Sequence, residues 1–339
     1  MHSSSQPPAE PFAKLIMAPF RGITHKTWRQ AFARHIGGFD EFFSPFISGS
    51  GTEQVHPGKL TDILPLSDNL APTIPQIIST SANEIILLGK ALAEKGYDEL
   101  NWNLGCPFAR IANKKRGCGL LPFPGILNDI LEKVFKETEI GISIKTRLGY
   151  HHKEEIQKVL PVLNAYPLKR VILHPRTGKQ GYKGKADPHE FAQCLEVSRH
   201  PLIYNGDIYN YRQFEILQRM FPGQRQWMIG RGALINPFLA AELKGKAFSD
   251  EEKRQKLEAF HFELWYQAYG FHQQEARALG SMKAVWHYMS GIFAEGQQAF
   301  SRIKRAKTKE AYLNAVDTVI QFDFAGDEQL EAYFLGLTK

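Results

Sequence analysis

Asn101-Trp-Asn-Leu-Gly-Cys-Pro107 is a short apolar strand that ends in a thiol, Cys106, held between a permissive glycine and a rigid proline. A lone cysteine at a strand end is in most proteins a small packed residue, and only its context makes it a reagent. Working outward, this strand, Glu99–Asn103, is the fourth of eight short apolar or β-rich runs. The others are Lys14–Ala18, Glu41–Phe46 and Thr73–Ser79 upstream, and Gly141–Thr146, Arg170–His174, Pro201–Asn205 and Gln226–Gly230 downstream. Amphipathic segments follow them near 26–35, 82–95, 125–137, 153–165, 188–199, 210–219 and 237–243. Such alternation predicts an α/β fold with a parallel sheet. Eight units in about 230 residues predict a (β/α)8 TIM barrel over a doubly wound sheet, and no G-x-G-x-x-G follows the first strand.

From about Ser249 the strand signals stop. Helical patterns over 250–269, 274–290, 296–306 and 309–320 predict a smaller all-helical C-terminal domain. Gly, Lys and Ser break the pattern at Lys244–Asp250, which divides the chain into a tail at 1–13, a barrel at 14–245 and a helical domain at 246–339.

Composition excludes several classes. With 339 residues, 43% of them hydrophobic, the chain can bury a large core. Cys106, Cys118 and Cys194 lack metal-ligand spacing, so a reduced, cytoplasmic protein without bound metal is expected. Residues 1–10 have neither the cationic nor the apolar region of a secretion signal, and no apolar run reaches membrane-spanning length. The net charge of +7 is a weak signal alone, but its placement says more. Cations crowd Lys253-Arg254-Gln-Lys256 and Arg302-Ile-Lys304-Arg305-Ala-Lys307-Thr-Lys309, a pattern of either a polyanion-binding surface or solvated helix faces.

The active site of a barrel lies at the C-terminal ends of its strands, and the unusual residues of this chain fall there. Strand 1 runs into Pro19, Phe20 and Arg21, strand 3 holds Gln76, and strand 4 ends at Asn103 and Cys106. Strand 5 carries Lys145 and Arg147, and strand 6 ends in His174, Arg176 and Thr177. Strand 7 ends in Asn205, Gly206 and Asp207, and strand 8 in Gly230, Arg231 and Gly232. Each has an ordinary structural use, such as a turn at Asn205-Gly206. Jointly they aim polar groups at one mouth. Glycines after strands 7 and 8 let backbone amides approach a phosphate, and a following helix N-terminus adds a favourable dipole. Arg231 and His174 could bond the same phosphate. A Lys145 buried in the mouth suits the polar edge of a flavin, where positive charge stabilises the reduced ring.

Taken in order, Ala18-Pro19, Asn103-x-Gly105-Cys106-Pro107 with Gly117-x-Gly119-x-Leu121, and Lys145-x-Arg147-Leu148-Gly149 begin a specific series. His174-x-Arg176-Thr177-x-x-Gln180-Gly181-Tyr182, Asn205-Gly206-Asp207 and Gly230-Arg231-Gly232 complete it. The series resembles the tRNA-dihydrouridine synthase family over nearly the whole chain. The resemblance implies an FMN enzyme that uses NADPH to reduce a D-loop uridine of tRNA. It further implies a barrel followed by an RNA-binding helical domain, acting as a monomer without an obligatory protein partner. On the same ground Pro19, Phe20 and Arg21 would line the flavin, and Gln76, Lys145 and His174 would contact it. Asn205, Gly206, Asp207, Gly230 and Arg231 would hold its ribityl phosphate end. Cys106 would be the proton donor, while Asn103, Arg176, Thr177, Gln180 and Tyr182 would hold the uridine. The chain departs from the family at Phe20 and Arg21, where Met and an acidic or small residue are usual, at His25, commonly Asp, and at Cys118, commonly Ser or Ala.

The residue types suit that reaction. Uracil's C5–C6 double bond is conjugated to the C4 carbonyl, so hydride arriving at C6 leaves negative charge at C5 for a neutral acid to quench. A thiol of ordinary pKa is mostly protonated at neutral pH and can serve, which predicts surroundings for Cys106 that do not favour thiolate. Cys118 is the rival thiol. A second reading, a flavin barrel acting on a small unsaturated substrate, shares the phosphate site and Lys145 but gives no use for the basic helical domain. A third, a tRNA-binding protein without catalysis, gives no use for Cys106. The target base must leave its stack to react, so tRNA would be gripped through phosphates by the C-terminal cations. There Trp286 and Tyr288 are expected to pack, and Lys304, Arg305 and Lys307 to face RNA.

Overall fold

The computed structural model describes residues 13–48, 58, 60–64, 70–272 and 274–337. All eight expected strands form. Strands 1 and 4 to 8 are Lys14–Met17, Glu99–Leu104, Gly141–Gly149, Val171–Thr177, Leu202–Tyr204 and Gln226–Ile229. Strands 2 and 3 are each split, Glu41–Phe43 and Ile47–Ser48 lying either side of Pro45, and Thr73–Ile74 and Gln76–Ile78 either side of Pro75. Proline brings no N–H to a ladder, so pairing lapses there. The halves still pair in parallel, Phe42 with Thr73 and Phe43 with Ile74, then Ile47 with Ile77 and Ser48 with Ile78. The ten hydrogen-bonded segments run in order from Ile47–Ser48 around to Thr73–Ile74. Because each end segment belongs to the same strand as a segment at the opposite end, the sheet closes on itself as the expected eight-stranded barrel.

The intervening helices start where local chemistry satisfies their first amides. Asp187 caps Pro188–Val197, Asn210 caps Tyr211–Met220, and proline opens Pro124–Glu137. Their apolar faces pack on the outside of the sheet in one continuous core. Inside the barrel the apolar layer is small, with Ile16, Phe43, Ile172, Ile203 and Met228 filling one side. Strands 4 and 5 instead point Asn101, Asn103, Ser143 and Lys145 inward, at positions two residues apart. The barrel floor is closed by charge. Arg170 meets Glu99 through two bonds of 2.9 Å and Glu41 through one of 2.7 Å, and Lys14 holds the other oxygen of Glu41.

Beyond the barrel lie Asp250–His272, Glu275–Met289, Gly296–Arg305 and Lys309–Ile320, close to expectation, and a fifth helix, Asp327–Gly336, that the sequence pattern did not suggest. Trp286 is buried as expected, its Nε1 donating to the Tyr312 hydroxyl at 3.0 Å. The two basic runs differ. Lys253 pairs with Glu242, Arg254 donates to the Phe322 carbonyl at 2.9 Å and Lys256 to the His35 carbonyl at 3.0 Å, so the first run joins the helices together and to the barrel. In the second run Arg302, Lys304, Arg305, Lys307 and Lys309 are exposed.

Candidate active site

The loop after strand 4 is built around one side chain. Asn103 Oδ1 accepts the amides of Gly105 at 3.0 Å and Cys106 at 2.9 Å, an Asx turn that fixes the thiol just past the strand. Its Nδ2 donates to Gln76 Oε1 at 2.7 Å, Gln76 Nε2 donates to Asn101 Oδ1 at 2.8 Å, and Asn101 Nδ2 donates to Ser143 Oγ at 2.8 Å. This buried chain of amides crosses strands 3, 4 and 5, so the inner polar wall positions Cys106. Gly117 backs it from behind, with φ of +57° and no room for a Cβ, which would come within 2.6 Å of the Cys106 carbonyl. Arg147, two residues beyond Lys145 on the same face, donates to the carbonyls of Gly105, Thr177 and Gly181 at 2.9, 2.9 and 2.7 Å. It thereby staples the cysteine loop to the loop after strand 6.

Burial pushes the Cys106 thiol up, against the pull of the Phe108 amide and of Arg147, Arg21 and Arg110. It is therefore protonated at neutral pH, as an acid requires. Cys118 has a different place. It is fully buried, its thiol donates to the Cys106 carbonyl at 3.2 Å, and burial raises its pKa to about 12. Serine keeps that donor, so Cys118→Ser should leave turnover within about threefold at a stability cost of about 1 kcal/mol. A hundredfold loss of turnover with the fold intact would make Cys118 the reacting thiol.

Beside the cysteine loop a cleft opens among strands 1, 5, 6, 7 and 8. Pro19, Phe20, Lys145, His174, Asn205, Gly206, Asp207, Gly230 and Arg231 line it together, along with Tyr182. Lys145 is partly open to the cleft and otherwise surrounded by protein, and its Nζ donates to Asn205 Oδ1 at 2.6 Å. Burial, and secondarily Arg147, lowers its pKa to about 7. His174 is held neutral, first by burial and then by Arg147 and Arg176. Because an arginine can only donate, the 3.0 Å contact from Arg176 Nη1 makes His174 Nε2 the acceptor and leaves its proton on Nδ1.

Asp207 lies at the centre of a cluster of cations. Arg176 grips it with both Nη atoms at 2.8 and 2.6 Å, Arg231 adds a bond of 3.1 Å, and the Ala186 amide one of 2.7 Å. A carboxylate so engaged repels an anion little and orients the arginines around it. Arg231 Nη1 is buried with no hydrogen-bond partner, a donor that lacks an acceptor. The glycines here serve protein packing: a Cβ on Gly232 would lie 1.9 Å from the Ile208 carbonyl. The helix that follows, Arg231–Ile235, has only five residues, so side-chain cations rather than the expected dipole carry the positive charge.

Other expected residues stand outside the cleft lining. Arg21 is exposed, with its guanidinium over the Phe46 ring at 5.6 Å, while Gln76, Asn103 and Cys106 form the adjoining wall. Arg176 is fully buried behind the cleft. Thr177 and Gln180 bond each other and shape the loop that carries Tyr182. Sequence reasoning missed three residues, Arg147, Gly117 and Phe334. Arg147 was legible from its spacing to Lys145, and Gly117 from its motif, but neither received a role. Tyr288 packs as expected, but its partner is Phe20 of the cleft, which it meets edge to face at 6.0 Å. Phe334, which also lines the cleft, sits on the helix that no pattern announced.

A family model, dihydrouridine synthase, matches residues 16–332, almost the whole of the barrel and the helices after it. The chain belongs to the dihydrouridine synthase family. Among the relatives of this family member, a tRNA-dihydrouridine synthase B from Vibrio parahaemolyticus is 27% identical over 336 residues, covering 94% of this chain and 95% of that one. A probable tRNA-dihydrouridine synthase from Aquifex aeolicus is 28% identical over 239 residues, 69% of this chain and 73% of that one. Among solved structures, the old yellow enzyme homologue from Zymomonas mobilis superposes with a TM-score of 0.52 at 11% identity. It covers 69% of this dihydrouridine synthase family chain and 89% of that one, a likeness of fold. No helix among the described residues is long and apolar enough to cross a membrane.

Proposed function

We propose that this protein reduces a uridine of tRNA to dihydrouridine, with FMN bound in the cleft and NADPH as electron source, acting as a cytoplasmic monomer. The observation that carries the reading is a rigidly placed thiol, held by Asn103 on the strand next to Lys145 of a cation-lined cleft, in a dihydrouridine synthase fold. The fit of the cofactor rests on the partnerless Arg231 Nη1, which an FMN phosphate oxygen would satisfy, with Asn205, Gly206 and Gly230 beside it. Lys145 would lie at the polar edge of the ring, with His174 donating from Nδ1 and Pro19 and Phe20 packing nearby. Asp207 would act indirectly, by orienting Arg231.

When bound, the flavin supplies the hydride for C6 of the uracil. Cys106 then gives its proton to C5. Arg147, Arg21 and Arg110 favour the thiolate left behind, so burial holds the proton until it is needed and the arginines ease its departure. Asn103 has one N–H left for a base carbonyl after bonding Gln76. Arg176 is assigned to supporting His174 and Asp207, since reaching a uridine would break its ion pair, and Gln180 and Thr177 to holding Tyr182 at the mouth. The groove between Gly296–Arg305 and Lys309–Ile320, with Arg302, Arg305, Ser301 and Asn314 along it, suits tRNA phosphates.

The test is mass spectrometry of unmodified tRNA incubated with the protein, FMN and NADPH. A gain of two hydrogens at one D-loop uridine is expected. No gain, with bound flavin that NADPH reduces, would favour a small unsaturated substrate.

Lys145 adds a pH dependence to the flavin-free protein. Its folded pKa of about 7 lies below the ordinary 10.5, so the folded chain binds fewer protons between those values. Stability therefore rises with pH across that window, and the penalty is complete below pH 7. Lys145→Met should stabilise the flavin-free protein by several kcal/mol, about 4, at pH 6 and by less than half as much at pH 9. Equal gains at both pH values in urea titrations would refute the depressed pKa.

A further inference from the structure

Arg231 is the least conventionally held of the cleft's cations. Its guanidinium carbon lies 4.4 Å from the Tyr182 ring centroid and 4.3 Å from that of Phe334, so two aromatic faces enclose it. One nitrogen is bonded to Asp207 and another, Nη1, is buried and partnerless. A cation between two rings, shielded from water, is held more firmly than one at the surface. Tyr182 comes from the barrel, but Phe334 comes from the helix Asp327–Gly336.

That helix is tied to both halves of the molecule. Toward the barrel, Phe334 packs on Tyr209 at 4.7 Å, the Tyr209 hydroxyl donates to Glu331 at 2.9 Å, and Asn210 Nδ2 donates to the Asp327 carbonyl at 3.3 Å. Toward the other helices, the Tyr333 hydroxyl donates to the His287 carbonyl at 2.8 Å. Its ring fills the space above Gly291, where a Cβ would come within 2.4 Å. The loop after strand 7, which lines the cleft on one side, thus holds the helix on the other.

We propose that the helix Asp327–Gly336 supplies a residue of the cofactor site: Phe334, with Tyr182, clamps Arg231 in the pose that receives the terminal phosphate of the flavin. This rests on the reading of the cleft as an FMN site. The clamp acts on the phosphate end alone, so it separates a phosphorylated flavin from an unphosphorylated one. Phe334 is a positioning residue, working through Arg231.

The experiment uses the full-length protein stripped of flavin, in wild-type, Phe334→Leu and Phe334→Ala forms, with folding checked by circular dichroism. Dissociation constants for FMN and riboflavin are read from flavin fluorescence. Leucine keeps the apolar volume and removes the ring face, so Phe334→Leu should weaken FMN about tenfold and riboflavin less than about twofold. If Phe334→Ala does not fold, Phe334→Leu decides. Unchanged FMN affinity in the folded variants overturns the clamp alone, as does a parallel loss for both flavins. A wild-type protein that binds neither flavin overturns the functional reading and the clamp with it.

Discussion

Replacing Cys106 with alanine should lower dihydrouridine formation about 10²- to 10⁴-fold, the usual worth of a positioned general acid. With flavin bound as proposed, its reduction by NADPH should continue, because Cys106 is not among the residues lining the cleft. The amide network around Asn103 contacts the backbone of residues 105 and 106, so the loop keeps its shape without the sulfur. Burial raises the thiol's pKa, and wild-type turnover should therefore persist above the pH, about 8.5, at which an ordinary thiol ionises. Single-turnover assays with pre-reduced protein isolate the step. A variant within threefold of wild type would remove Cys106 from the chemistry.

The second large effect is on stability. Asp207→Ala should destabilise the protein by about 3–5 kcal/mol, because it leaves Arg176 and Arg231 as buried cations without a counter-charge. The Ala186 amide loses its acceptor as well. Asp207→Asn keeps a carbonyl for one arginine and should fall between the two. Urea denaturation of the flavin-free protein measures the cost directly. A loss under about 1 kcal/mol would show that water or a rearranged loop replaces the carboxylate, and that Asp207 is not what orients the arginines.

The barrel was legible because each strand is a short apolar or β-rich run followed by an amphipathic segment, a signal that survives without knowledge of neighbours. The polar mouth was legible for a related reason: topology puts every strand's C-terminal end at the same rim. What could not be read was partnership. Asp207 at the end of strand 7 looks like a ligand contact in sequence, but its carboxylate is taken by Arg176 of strand 6 and Arg231 of the short helix after strand 8. The 253–256 cations look like the 302–309 cations until Glu242 and the Phe322 and His35 carbonyls are seen beside them. The helix Asp327–Gly336 escaped although Asp327 and Glu328 in its first turn are a helix-start signal, because it carries its aromatics for a surface formed by residues far away in the chain.

The cleft draws one wall from Ala18 and another from Phe334, near opposite ends of the sequence. Contacts of such separation come late, since chain entropy opposes them until the barrel between has formed. The strands can assemble first, and the wall that Phe334 supplies is added only once they are in place. With flavin in the cleft as proposed, the flavin content of a preparation should therefore report how much of it has docked the helix Asp327–Gly336, a visible yellow record of completed sites.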